Sequence, residues 1–217
     1  MRESDAKTRR RACSPARGEY APPAAFRQIG QAMRLFISTF VLIAMLASCG
    51  ASTVRYAAAP VSSGGRIAIG LSRLEVREVS LPAYARSEEI WREAENGALT
   101  SDAATLWADD PARGVTMELS HHLATMSGAR VAAEPWPFED LPQARLVVRV
   151  KEMVAGADGR FRISGQYFVA HLDGGRDRSG EFNLSAPFSP DGGAPAIAAA
   201  RATVVRDLAR VIADRGF

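Results

Sequence analysis

Few side chains in this 217-residue sequence are of the kinds that carry chemistry at matched spacing. The histidines are His121, His122 and His171. His121 and His122 are sequence neighbours within a helical pattern, so their side chains diverge by about 100° and do not easily share one metal ion. No cysteine or third histidine stands near them, and they read as histidines of a solvated helix surface. Asp109 and Asp110 are adjacent carboxylates, but the following Pro111 makes a helix cap their simpler use. Glu88 and Glu89 read as surface charge. No Gly-x-Ser-x-Gly elbow occurs. The glycine pairs at 64–65, 174–175 and 192–193 lack the lysine and the strand–loop–helix order of a phosphate cradle. No polar set converges on acid–base or nucleophilic work. The expectation is a protein that is not an enzyme, holds no metal and uses no cofactor.

The remaining reactive residue is Cys49, and its setting is informative. Met33 to Gly50 begins with Arg34, continues through an apolar run from Leu35 to Leu46, and ends in Ala47-Ser48-Cys49. A charged start, a short apolar run and a small-residue end describe a secretory signal peptide. The run is too short to span a bilayer, which takes about 20 residues. Leu46-Ala47-Ser48-Cys49 resembles the bacterial lipobox. That resemblance implies a thioether-linked diacylglycerol on Cys49, cleavage before it and acylation of the new amino end. Gly50 in place of aspartate favours, by the same resemblance, the outer membrane.

The leader also controls the charge balance. The chain holds 27 Lys and Arg against 24 Asp and Glu. Removing the 8 basic and 3 acidic side chains of residues 1–48 leaves 19 against 21, a slightly acidic mature chain. A clustered basic face for nucleic acid therefore has no support. Residues 1–32 are basic, carry little periodicity and read as a disordered or mis-annotated extension, with translation starting at Met33. Residues 33–48 are the signal peptide. Residues 49–65, rich in Ala, Ser and Gly, read as the lipidated cysteine and a flexible tether. Residues 66–217 have the length of one domain.

Within that domain, alternation at Ile67, Ile69 and Leu71 predicts a first strand that runs on, with a break at Ser72, to Leu74 and Val76. Pro82 places the stretch around Leu81 to Tyr84 at an edge or in a loop. Asn96-Gly97 predicts a small hairpin. Asp110 as cap, Pro111 in the first turn, the stripe Val115, Leu119, Leu123 and Met126, and Gly128 as stop define a helix. Ala129 to Ala133 is a short strand. Glu134 to Pro142, with three prolines around Trp136 and Phe138, is a loop with aromatic anchors. Three strands follow as an antiparallel meander, over 144–154, Phe161 to Leu172 with a bulge at Gly165, and 181–188. A last helix opens at Pro195 and buries Ile197, Val204, Leu208 and Val211. The fold class expected is α+β, a mainly antiparallel sheet with two amphipathic helices packed on one face.

Leu81-Pro82-x-Tyr84, then Ile90, Asn96-Gly97, and Trp107-Ala108 ahead of Pro111, stand in an order that resembles the ABC-type transport auxiliary lipoprotein family, in particular its PqiC-like members. The resemblance covers residues 66–128 in motif and the remainder in shape. It implies an outer-membrane-anchored periplasmic subunit of an MCE-type lipid transport system that maintains envelope integrity. The partner it implies is an MCE-domain protein bridging from the inner membrane, and a homo-oligomer is left open. A stand-alone envelope lipoprotein without a transporter is the competing reading. Leu81, Pro82, Tyr84, Ile90 and Trp107 are the candidate partner contacts, with packing between hairpin and helix as the alternative for Tyr84 and Trp107.

Overall fold

A computed structural model describes residues 52–217. The expectations for residues 1–32, the signal peptide 33–48, Leu46, Ala47, Ser48 and Cys49 concern positions outside the described residues. The chain runs through β1 (Val54–Tyr56), β2 (Arg73–Val76), a helical turn α1 (Ala83–Arg86), β3 (Arg92–Glu93), β4 (Leu99–Thr100) and β5 (Thr105–Trp107). It continues with α2 (Pro111–Ser127), β6 (Arg130–Ala133), β7 (Ala144–Ala155), β8 (Arg160–His171), β9 (Arg178–Pro187), a 3-10 turn (Pro190–Gly192) and α3 (Gly193–Arg215). The class is α+β, as expected.

Helix α2 starts and stops where its side chains dictate. The Asp110 carboxylate accepts the Arg113 backbone N–H at 2.8 Å, and Pro111 occupies the first position, where a missing N–H costs nothing. Gly128 ends the helix with φ 73°, a left-handed conformation that favours glycine. Val115, Leu119, Leu123 and Met126 are all fully buried. Each such side chain contributes about 1.5–3 kcal/mol on leaving water. Helix α3 buries Ile197, Val204, Val205, Leu208 and Ile212, so its stripe passes through Ile212, with Val211 only half-buried at its margin. The two helices pack on each other, α2 against β6 and α3 against β8 and β9, over one apolar core.

The sheet is mixed rather than mainly antiparallel. The β7–β8–β9 meander is antiparallel, as short turns require, and so is the small β3–β4 hairpin around Gly97. But β2 pairs in parallel with both β6 and β7, and β3 meets β7 in parallel. The reason is the length of the connections: α2 carries the chain back, so β6 enters in the direction of β2. Such crossovers leave no local signal of strand direction.

Three further expectations change. Residues 67–71 are not a strand; Ile67 donates its N–H to Met126 O at the end of α2, at 3.0 Å, and the first long-sheet strand begins at Arg73. The bulge lies opposite Gly165, on β7 between Val150 and Glu152. A Cβ on Gly165 would stand 2.2 Å from the Arg149 carbonyl oxygen, so glycine permits the close approach of the bulged strand. Finally, the stretch expected as free tether contains β1, paired in parallel with β5 in a separate two-stranded sheet.

Candidate functional site

The motif residues converge on the junction of α1, β5 and β7. Leu81, Ile90 and Trp107 belong to the buried core, and Pro82 and Tyr84 are half-buried. Trp107, 3% exposed, is held on both backbone groups: its N–H donates to Glu88 O at 2.7 Å and its carbonyl accepts from Arg55 Nη1 at 3.1 Å. The Arg201 guanidinium of α3 lies over its ring, 4.6 Å from the centroid. Arg201 in turn pairs with Glu118 of α2. Burial raises the Glu118 carboxyl above its ordinary range, and the Arg201 charge opposes that rise. Glu118 Oε2 and Arg201 Nε are buried without partners.

Tyr84 fills a gap in the sheet. One edge of β7 is paired by β2 over Ala144 to Leu146, bridged by Ser80 at Arg149, and met by β3 at Ala155. Between the last two, the Met153 N–H donates to Tyr84 Oη at 3.1 Å. The Tyr84 ring packs edge-on against Trp91 at 6.1 Å, and Trp91 Nε1 donates to Ser87 Oγ at 2.7 Å. Burial raises the Tyr84 phenol above its usual value, and the bond from Met153 opposes the shift. The motif thus ties α1 to the bulged part of β7 and sets the Trp107 ring of β5 beneath Arg201 of α3.

The histidines and paired carboxylates do not converge on one site. His121 is exposed, as expected of a helix-surface histidine, but His122 is only 4% exposed, because its side of α2 faces α3. His122 Nδ1 lies 2.7 Å from Ser63 Oγ. Burial lowers the His122 imidazole below its ordinary value, His121 and Arg206 lower it further, and Asp207 opposes them. Ser63 is equally buried, so this pair closes a packing contact and offers no exposed nucleophile. Asp110 caps α2 while Asp109 pairs with Arg113. Among the described residues no group of three or more His, Cys, Asp or Glu is placed to hold a metal ion.

An apolar cap stands at the other end of β7, and sequence reasoning missed it as a surface. Leu141 is 78% exposed, Leu172 49% and Phe138 42%. They sit on adjoining connections, joined where the Leu172 N–H meets Gln143 O at 2.8 Å. Trp136 packs edge-on against Phe138 at 5.0 Å, and the Arg130 guanidinium lies 4.9 Å from the Phe138 centroid. Arg73 Nε donates to Leu141 O at 2.8 Å. The rim carries both signs, with Arg130 beside Asp140. The available signal was the density of Trp136, Phe138 and Leu141 in a proline-bound loop.

The family model for the ABC-type transport auxiliary lipoprotein component matches residues 56–213. The chain belongs to that family. No curated protein matches it. In fold it is similar to a crystal structure of an uncharacterized protein, with TM-score 0.61 and 21% identity over 75% of this chain and 97% of that one. It is also similar to a Xanthomonas campestris protein of family DUF330, with TM-score 0.53 and 18% identity over 75% of this chain and 90% of the other. The family's role is that of an auxiliary transport component, which gives this chain a transport-associated lipoprotein role.

Within this ABC-type transport auxiliary domain, Leu81, Pro82, Tyr84, Ile90 and Trp107 all fall in the matched range, whereas Cys49 precedes it. The match begins at Tyr56, inside β1, so β1 marks the edge of the family domain.

Proposed function

We propose that this protein is an outer-membrane lipoprotein, anchored on the periplasmic side through Cys49, that serves as the non-catalytic auxiliary subunit of an MCE-type lipid transport system and helps maintain envelope integrity. The observation that carries the reading is the family match over residues 56–213. It is supported by Leu46-Ala47-Ser48-Cys49 standing directly after a signal-like apolar run. The partner is an MCE-domain protein. Work is done by surface contact, and ATP hydrolysis belongs to another subunit, since the sequence has no phosphate loop. Because Leu81, Ile90 and Trp107 are core residues, the apolar cap with its mixed-charge rim is the surface best suited to the partner: apolar centre, polar rim.

Two measurements test this. Cys49→Ala should abolish metabolic labelling by palmitate and leave uncleaved precursor; an unlabelled, soluble wild-type protein would refute anchoring. Co-purification of the MCE-domain protein from detergent extracts should be lost in Leu141→Asp at unchanged melting temperature. Retention of the partner by a folded Leu141→Asp protein would refute the cap as its contact.

A further inference from the structure

We propose that the domain stands on its membrane by the β1–β5 end, with β4 and the 101–104 connection nearest the lipid and the apolar cap turned away from it. The proposal rests on the lipidation of Cys49 argued above. Its source is the segment expected to be a free tether. From Val54 onward that segment is held by the domain: Val54 N–H donates to Ala104 O at 2.7 Å, and Ala108 N–H to Tyr56 O at 2.9 Å. Arg55 fastens it further, through Trp107 O at 3.1 Å and Glu88 Oε2 at 2.7 Å. Farther on, Ser63 meets His122, and Arg210 Nη2 donates to Ser63 O at 3.3 Å.

Only the five peptide links from Cys49 to Val54 then separate the lipid from fixed structure. At ~3.6 Å per residue they reach no more than ~18 Å, whatever their conformation. A free tether to Arg66, as composition suggests, would reach about 60 Å and set no orientation.

The position of β1 gives the direction. Strand β5, its partner, lies beside Glu88 to Ile90, through Trp107 N–Glu88 O at 2.7 Å and Ile90 N–Thr105 O at 3.2 Å. That stretch leads into β3, which meets β7 at Ala155, its last residue. The cap adjoins the first residues of β7, next to Gln143. Twelve residues of strand separate the two ends, roughly 36 Å at ~3.3 Å per residue. The anchor end exposes Val54 and Leu99, with Thr53, Thr100, Ser101 and Ala103 around them and the charged Arg92 and Glu95 beside β4. The uncharged groups approach a headgroup layer at little desolvation cost, and the charged ones keep to its hydrated side. Asp102 also lies there, with its carboxylate engaged by Ala104 N–H and Thr105 Oγ1–H.

The test uses the mature lipoprotein in vesicles of phosphatidylethanolamine and phosphatidylglycerol carrying a spin-labelled phospholipid. Cys49 is acylated and Cys13 removed with the leader, so an introduced cysteine is the one labelling site. Fluorophores are placed at Ala103→Cys or Glu95→Cys at the anchor end, and at Arg176→Cys or Leu141→Cys at the cap end, all exposed positions. The expected result is loss of fluorescence at 103 and 95 and none at 176 and 141. Quenching at both ends would mean that the domain lies flat, and quenching at the cap alone would mean that it is inverted; either overturns the proposal. Flotation of the same samples separates the two readings. Wild-type protein that does not float removes the anchor and the orientation with it, whereas floating protein with a quenched cap removes the orientation alone.

Discussion

Trp107→Ala separates packing from partner contact at the centre of the family motif. Trp107 is 3% exposed, lies in the core, and supports the Arg201 guanidinium at 4.6 Å. Removing so large a buried side chain costs about 3–5 kcal/mol where the site cannot collapse. Collapse is resisted here, because Arg201 is already committed to Glu118 and both carry buried unpartnered atoms. For a domain of this size each kcal/mol shifts the melting temperature by about 2–4 °C. The expected fall is therefore roughly 6–20 °C, read by circular dichroism on residues 52–217. Trp107→Phe keeps a ring beneath Arg201 and should recover most of the loss. A Trp107→Ala protein that melts with the wild type but no longer retains the proposed MCE-domain partner would refute this reasoning and make Trp107 an interface residue.

Three other outcomes follow from the same geometry. Tyr84→Phe leaves the Met153 N–H unpaired in a gap of the sheet and should cost about 1–3 kcal/mol in urea unfolding; an unchanged midpoint would show that water replaces the phenol. Gly165→Ala drives a Cβ to 2.2 Å from a backbone oxygen that cannot swing aside, so a loss of about 1–3 kcal/mol is expected, and a wild-type midpoint would contradict the close approach. His122 is held below the ordinary imidazole value by burial first, then by His121 and Arg206. The unfolded chain therefore binds a proton that the folded one refuses, so stability is full above the ordinary value of about 6.5 and falls as pH drops through it. His122→Asn should flatten that slope between pH 7.5 and 5, and an equally steep slope in the variant would assign it elsewhere.

What the sequence made legible was local. Asp110, Pro111 and Gly128 fixed the ends of α2 because caps act within one turn. The β7–β8–β9 meander was readable because its turns are short and its strands long enough to show alternation. Strand direction across the rest of the sheet was not, because β2, β6 and β7 are brought together by crossovers that leave no periodic trace. His122 looked like a surface residue because nothing near it in sequence announces Ser63 or α3; its burial comes from contacts 59 residues apart and more. The motif residues were found, but residue type alone does not say whether a tryptophan packs inward or outward.

The misread tether shows how composition and backbone bonding come apart. Residues 51–65 are poor in large apolar side chains, and by that measure should be free. Their attachment uses one such side chain, Tyr56, which packs against the core, and otherwise rests on polar groups. Strand β1 is three residues long, too short for any alternation, and is held by main-chain bonds to β5 together with the Arg55 side chain. The receiving strand ends in Trp107, whose carbonyl accepts from Arg55 while its ring supports Arg201. One motif residue thus joins β1 to Arg201 of the helix pair. Under the proposed lipidation of Cys49, this pairing makes the reach between lipid and domain a property of the fold, where a plain glycine-rich linker would leave it to chain statistics.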